Sequence, residues 1–381
     1  MSDNFDSNNY SEYFKYLESK LADSGRNDSA PVSDNKNDIS QTENERRKSS
    51  RRYKVIKIKP LFLIVCFAAV IAVICGTVSF AASKNKTDKH QKSDNSVFGI
   101  SYPEDSTENA APPISYRFTD STQDIPTSND ANGAIIVNTA THEVVAARSA
   151  NECFYPASTT KIMTLLVAAE NITDFNDTFT MTLDITDPLF EAEASVAGFL
   201  SGEAVSMTDL LYGTILPSGA DAAVGLAVKI AGSEAAFAEL MNKKAKELGL
   251  ENTHFVNVTG LFDENHYSSP YDMAIILETA LKYPLCKKIL STYQYTTRST
   301  PQHPDGIPLS ATLFDYMYGT EPETATVLGG KTGFVNESGY CIATYGSNNT
   351  TGNEYIVVTF KNSSRWPAIH GQIDLYKQFA E

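Results

Sequence analysis

The stretch Tyr155-Pro156-Ala157-Ser158-Thr159-Thr160-Lys161 places a hydroxyl and an amine three residues apart, at a predicted helix start. Pro156 cannot extend a helix backwards, whereas the mostly apolar run 162–169 continues it forwards. Residues three apart share one helix face, with roughly 5–6 Å between their Cβ atoms. A neutral Lys161 amine could therefore take the proton from the Ser158 hydroxyl, which is too weakly acidic to attack a carbonyl unaided.

Two further motifs follow this stretch along the chain. Ser218 lies in Leu216-Pro217-Ser218-Gly219, and a later segment reads Gly329-Gly330-Lys331-Thr332-Gly333-Phe334. A Ser-x-x-Lys helix, a loop serine and a Lys-Thr-Gly strand, in this order, are typical of a serine site that transfers acyl groups. Each motif alone is weak, because a helix lysine, a capping serine and a strand end are common features.

The periodicity of the sequence predicts strands at both ends of a helical middle. Short apolar strands are predicted at 134–138, 144–148, 326–328, 340–344 and 355–360, and helices at 222–230, 233–248, 271–281 and 370–380. Ser206-Met207-Thr208-Asp209 has the form of a capping box. We therefore expect an α/β (α+β) fold, in which an antiparallel sheet is flanked by helices and accompanied by a helical subdomain.

The N-terminal third is predicted to lie outside this domain. Residues 46–59 hold eight basic side chains and no acid, and 61–82 is a run of 22 uncharged residues, long enough for a membrane helix. We expect a disordered cytoplasmic tail at 1–59, a transmembrane anchor at 60–82, an extracellular stalk at 83–129 and the catalytic domain at 130–381. The competing interpretation of the apolar run is a cleaved signal peptide.

The charge balance bears on partners and cofactors. Residues 1–59 carry 12 basic and 10 acidic side chains, so the net charge of −15 leaves −17 on the remainder, which does not favour nucleic-acid binding. His254 and His266 are expected to be structural, and the sequence has no metal-binding spacing. We expect neither a metal nor another cofactor.

Five blocks resemble the D-alanyl-D-alanine carboxypeptidases of the low-molecular-mass penicillin-binding proteins. They are Tyr155–Lys161, Leu210-Leu211-Tyr212-Gly213, Leu216–Gly219, His254-Phe255-Val256-Asn257 with Gly260-Leu261, and Gly330–Gly333. The resemblance covers about residues 130–381 and implies a β-lactamase/transpeptidase-like fold. It also implies that a peptidoglycan stem peptide ending in D-Ala-D-Ala is the substrate and that β-lactams are covalent inhibitors.

The resemblance further implies a role for each site residue. Ser158 would be the nucleophile, Lys161 the general base, with a pKa lowered by desolvation and by the charge of Lys331, and Ser218 a proton relay. Lys331 and Thr332 would hold the substrate carboxylate, and Gly333 would let the substrate backbone approach. The amides of Ser158 and Phe334 would form the oxyanion hole. Arg365 would bind a carboxylate or form a surface ion pair.

One position departs from the family pattern. Family members commonly carry Asn two residues after the loop serine, where this chain has Ala220. A methyl group makes no hydrogen bond to substrate, so turnover is expected to be weaker or to use another donor. The alternatives to a membrane-bound, extracellular carboxypeptidase are a serine β-lactamase and a weakly active or non-catalytic wall-binding protein.

Overall fold

The structure is a computed structural model that describes residues 113–320 and 323–380. The predicted tail at 1–59, the predicted anchor at 60–82 and the predicted stalk as far as residue 112 lie outside the described residues. Within the part that is described, no helix combines the length and the apolar composition that crossing a membrane requires.

A six-stranded sheet forms the frame of the domain, in the order β1-β3-β2-β10-β9-β8. Its strands are β1 (Gln123–Asp124), β2 (Gly133–Asn138), β3 (Glu143–Arg148), β8 (Ala325–Val335), β9 (Gly339–Asn348) and β10 (Glu354–Asn362). All neighbours pair in antiparallel fashion except β1 and β3, which are parallel. The predicted mixed fold, with strands from both ends of the domain in one sheet, is confirmed.

The helices fill the middle of the chain and its end. After a 3₁₀ turn (Ala157–Thr160) they are α1 (Lys161–Asn171), α2 (Leu183–Glu191), α3 (Met207–Ile215), α4 (Ala220–Ala231), α5 (Glu234–Glu247), α6 (Pro270–Leu281), α7 (Pro284–Leu290), α8 (Thr312–Met317) and α9 (Arg365–Phe379). Two small hairpins interrupt them, β4 (Thr178–Thr180) with β5 (Ala204–Ser206) and β6 (Gln294–Thr296) with β7 (Pro308–Ser310). The final helix starts five residues before its predicted start at 370, so Arg365 lies in its first turn.

The centre of the sheet is buried on both faces. Residues 355–360 of β10 are all buried, and helices α6 and α9 both pack against this strand. The N-cap half of the predicted capping box forms, because the Ser206 hydroxyl accepts a hydrogen bond from the Asp209 amide; the Asp209 carboxylate accepts from the same hydroxyl. The local cap at the start of α3 and the long-range packing of helices on β10 are therefore both consistent with the predicted fold.

Residues 114–129, assigned to the stalk by their polar composition, belong to the folded domain. Ile114, Tyr116 and Ile125 are buried, and the Tyr116 hydroxyl donates hydrogen bonds to Glu278 and to the carbonyl of Ala274 in α6. Single apolar residues in a polar stretch carry no periodic signal. Their burial depends on contacts with distant parts of the chain, so the predicted boundary at 129/130 falls too late.

A buried polar network joins α9 to the sheet and gives a stability prediction. The Gln372 amide donates to Thr344 Oγ1 and to the Val357 carbonyl, and it accepts from Thr359 Oγ1. Gln372→Met should lower the free energy of unfolding by about 2–4 kcal/mol, since it leaves buried groups without partners. Urea unfolding of the full-length chain measures this loss. Gln378→Met, on the exposed side of the same helix, is the matched control, and equal stability of the two variants would contradict the prediction.

Candidate active site

Ser158 lies in the 3₁₀ turn that leads into α1, as the sequence predicts. The turn follows Pro156, and Ala157 adopts a left-handed conformation with φ of 48°. The first amides of a helix have no intrahelical partner, so this turn presents backbone N–H groups beside the Ser158 hydroxyl. The local geometry therefore places a nucleophile next to hydrogen-bond donors that suit an oxyanion.

The Lys161 amine lies 3.0 Å from the Ser158 hydroxyl oxygen. The same amine donates a 2.7 Å hydrogen bond to the carbonyl of Thr259, and the lysine side chain is 2 % exposed. Three residues of helical rise bring the two side chains together, and the Thr259 carbonyl fixes the direction of the amine. This is the contact that proton transfer from Ser158 to Lys161 requires.

Burial lowers the pKa of Lys161 to about 7, although the carboxylates of Asp221 and Glu234 act in the opposite direction. The resemblance implies that the charge of Lys331 contributes to this shift. In the structure, burial and then repulsion from Lys161 lower the pKa of Lys331 well below its ordinary value. Desolvation is thus the main cause for both amines; repulsion from Lys161 adds to the lowering at Lys331, whereas Lys331 is not among the causes of the lowered pKa of Lys161.

The loop that carries Thr259 is organised by the side chain of Asn257. Its Oδ1 accepts hydrogen bonds from the amides of Thr259 and Gly260, and its Nδ2 donates to the carbonyl of Leu261. Gly260 has a φ of 80°, and a Cβ there would overlap the carbonyl of Ala157. Asn257 and Gly260 belong to one of the five blocks that resemble the family, but no role is predicted for them. The Asn-x-x-Gly pattern could have predicted the turn, but not its contact with Lys161.

Lys331, Thr332 and Gly333 lie in the interior of the edge strand β8, beside the nucleophile turn. The Lys331 amine is buried and donates a 2.8 Å hydrogen bond to the Thr332 carbonyl. A Cβ at Gly333 would lie 2.7 Å from the Ser158 amide nitrogen. Gly333 therefore allows the turn that carries Ser158 to pack closely on β8. The resemblance implies a different role, in which Gly333 lets the substrate backbone approach.

A cleft of about 170 Å³ connects the predicted residues. Its lining includes Ser158, Ser218, Thr332, Gly333, Phe334 and Arg365. Lys161 reaches the cleft through its contact with Ser158, and Lys331 lies in β8 next to Thr332. Six of the eight predicted site residues thus line one cleft and Lys161 contacts it through Ser158, whereas Lys331 is buried beside Thr332 and is not among the lining residues.

Ser218, Phe334 and Arg365 enter the cleft from three different elements. Ser218 is 7 % exposed and adopts a left-handed conformation with φ of 64°, which non-glycine residues rarely do. Phe334 is half exposed, with its ring centroid 4.4 Å from that of Tyr340. The Arg365 guanidinium lies 4.3 Å from the centroid of the Tyr316 ring, a cation-π contact.

Two further residues near the site, His266 and Ala220, make hydrogen bonds within the protein. His266 is buried, bonds to Thr160 Oγ1 and accepts from the Val256 amide; burial lowers its pKa to about 4. Ala220 opens α4, and its amide donates a 2.7 Å hydrogen bond to the carbonyl of Ser195. Among the described residues, no group of three His, Cys, Asp or Glu side chains could hold a metal ion.

Residues 119–364 match the protein family described as D-alanyl-D-alanine carboxypeptidase. The D-alanyl-D-alanine carboxypeptidase DacF of Bacillus subtilis is 37% identical over 221 residues, which cover 56% of this chain and 54% of that protein. The D-alanyl-D-alanine carboxypeptidase of Streptomyces sp. strain K15 is 30% identical over 245 residues, covering 62% of this chain and 82% of the relative. The chain thus spans about half the length of the Bacillus protein.

The fold is also similar to a solved structure. The crystal structure named Streptomyces K15 DD-transpeptidase superposes with a TM-score of 0.60 at 27% identity, covering 66% of this chain and 98% of that chain. The sheet and helices described above are therefore shared with that protein.

The depressed pKa of Lys161, about 7, predicts how reaction at Ser158 depends on pH. Only the neutral amine accepts a proton, so the rate at which a penicillin acylates Ser158 should rise with pH and reach half its maximum near pH 7. Stopped-flow acylation of the full-length chain measures this profile. A midpoint near 10.5, the ordinary pKa of lysine, would contradict the prediction.

The Asn257 turn predicts a second effect on this reaction. Asn257→Ala should release the Thr259 carbonyl, so that Lys161 loses its orientation and acylation slows by about 10²-fold while the fold is retained. Labelling with a fluorescent penicillin over time measures the rate, and circular dichroism monitors folding. Asn265→Ala changes an exposed amide in the same segment and is the control. Wild-type rates for both variants would show that the turn does not position Lys161.

Proposed function

The chain belongs to the D-alanyl-D-alanine carboxypeptidase family, and from this premise we propose that it is a serine-type D-Ala-D-Ala carboxypeptidase. It removes the terminal D-alanine from peptidoglycan stem peptides through an acyl-enzyme on Ser158. One observation carries the proposal: the Lys161 amine lies 3.0 Å from Ser158 Oγ, on a cleft shared with Ser218 and the Lys-Thr-Gly strand.

In the first step the Ser158 oxygen attacks the carbonyl of the penultimate D-alanine. Neutral Lys161 takes the hydroxyl proton, and a C–O bond to Ser158 forms. The C–N bond to the last D-alanine then breaks, and the leaving amine receives, through Ser218, the proton that Lys161 accepted. Water subsequently attacks the ester, which regenerates the Ser158 hydroxyl and releases the shortened peptide.

The electrostatics of β8 support recognition of the terminal carboxylate. Lys331 is buried and its ammonium form is disfavoured by desolvation and by Lys161. A bound carboxylate would favour that ammonium form, because an opposite charge nearby stabilises a buried cation. Thr332 and Arg365 line the same cleft and supply further donors. The amides of Ser158 and Phe334 are the proposed oxyanion hole.

The same acyl-enzyme makes β-lactams covalent inhibitors. A serine β-lactamase needs rapid hydrolysis of the ester, which class A enzymes achieve with a glutamate and a water molecule. Within the described ranges, no aspartate or glutamate is among the residues that line the cleft. The cleft therefore favours a persistent penicillin adduct over rapid turnover. The contact between Ser158 and the buried Lys161 likewise favours a reactive site over a purely wall-binding protein.

The proposal includes the placement of the protein at the cell membrane. Residues 60–82 form a single-pass anchor, 1–59 a cytoplasmic tail and the segment from 83 to the domain an extracellular stalk. The support is the basic block at 46–59 on the N-terminal side of the uncharged run at 61–82, since basic flanks remain cytoplasmic. The catalytic domain is then outside the cell, where peptidoglycan lies.

D-Alanine release is the direct test. The full-length chain, incubated with a peptide ending in D-Ala-D-Ala, should release D-alanine, and Ser158→Ala should abolish both this release and labelling by fluorescent penicillin. Ser291→Ala, a change in the loop after α7, serves as the control. No D-alanine release by wild type, or release by Ser158→Ala, would overturn the proposal. Release that requires an added amine acceptor would identify a transpeptidase instead.

A further inference from the structure

Ser195 lines the same cleft as Ser158, Ser218 and Thr332 and has no role in the reaction described so far. It lies in the loop between α2 and β5 and is exposed. Among the described residues, no protein group forms a hydrogen bond with its hydroxyl. Within the described part of the chain, the Ser195 hydroxyl is therefore free of protein partners and can donate to, or accept from, a ligand in the cleft.

The backbone of this loop is held firmly against the start of α4. The Ser195 carbonyl accepts a 2.7 Å hydrogen bond from the Ala220 amide. The carboxylate of Asp221, itself 1 % exposed, accepts hydrogen bonds of 2.7 Å, 3.0 Å and 3.2 Å from the amides of three consecutive loop residues, Ala197, Gly198 and Phe199. The position of Ser195 is thus fixed by buried, charge-assisted hydrogen bonds.

The neighbouring side chain at the start of α4 cannot bind a polar ligand. Ala220 is 2 % exposed and ends in a methyl group, which neither donates nor accepts a hydrogen bond. A stem peptide brings backbone amides into the cleft ahead of the bond that is cleaved. Those amides lose water on binding and need partners, because an unpaired polar group is costly to bury.

We propose that Ser195 is a substrate-binding residue, whose hydroxyl donates a hydrogen bond to the amide carbonyl immediately before the penultimate D-alanine. This contact would supply a hydrogen bond to the substrate, which the methyl group of Ala220 cannot make. The inference rests on the proposed function, because it assigns Ser195 a part of the same substrate. It also predicts that the acylamino side chain of a penicillin, which carries a corresponding carbonyl, uses the same hydroxyl.

The test compares two β-lactams that differ in this carbonyl. Ser195→Ala in the full-length chain should slow acylation of Ser158 by benzylpenicillin about three- to tenfold, the loss expected for one hydrogen bond. Acylation by 6-aminopenicillanic acid, which lacks the acyl group, should be unchanged. Ser195→Thr keeps the hydroxyl and should retain the wild-type preference. Ser201→Ala, an exposed serine of the same loop, should react with both compounds as wild type does.

The outcomes separate this inference from the proposed function. Equal slowing of both compounds by Ser195→Ala and Ser195→Thr would indicate a structural role for the loop and overturn the inference. Wild-type rates for Ser195→Ala with both compounds would overturn it as well, while leaving the carboxypeptidase intact. Failure of the wild-type chain itself to react with either compound would overturn both.

Discussion

The Lys161 amine is buried between the Ser158 hydroxyl and the Thr259 carbonyl, at 3.0 Å and 2.7 Å. A lysine in water is an ammonium ion at neutral pH and cannot accept a proton. Removing it from water lowers its pKa to about 7, so the amine becomes a base for the neighbouring serine. The other parts of the site surround this pair. They exclude water from Lys161, orient its amine and form the cleft that is proposed to bind substrate.

Two glycines show how closely the surrounding segments approach the pair. Gly333 of β8 leaves room for the Ser158 amide, and Gly260 leaves room for the Ala157 carbonyl. The nucleophile turn is therefore enclosed between the edge strand and the loop organised by Asn257. A rigid support of this kind is what a catalytic pair needs in order to keep its geometry.

The sequence predicted the parts of this site that depend on local spacing. A serine and a lysine three residues apart at a helix start lie on the same face of that helix, and the strand and capping patterns were equally local. Three contributions could not be predicted because they depend on distant contacts. The Thr259 carbonyl comes from a segment 98 residues away from Lys161, Asp221 holds a preceding loop, and Ile114 and Tyr116 are buried although their surroundings are polar.

The central claim is that burial lowers the pKa of Lys161 to about 7, so that a large fraction of the molecules carry a neutral amine near physiological pH. An NMR titration of the full-length chain, with carbon-13 label at the lysine Cε atoms and the Lys161 signal assigned by comparison with Lys161→Arg, tests it without any reaction. The account predicts a midpoint of about 7 for this signal. A midpoint near 10.5, the ordinary pKa of a lysine, would contradict it.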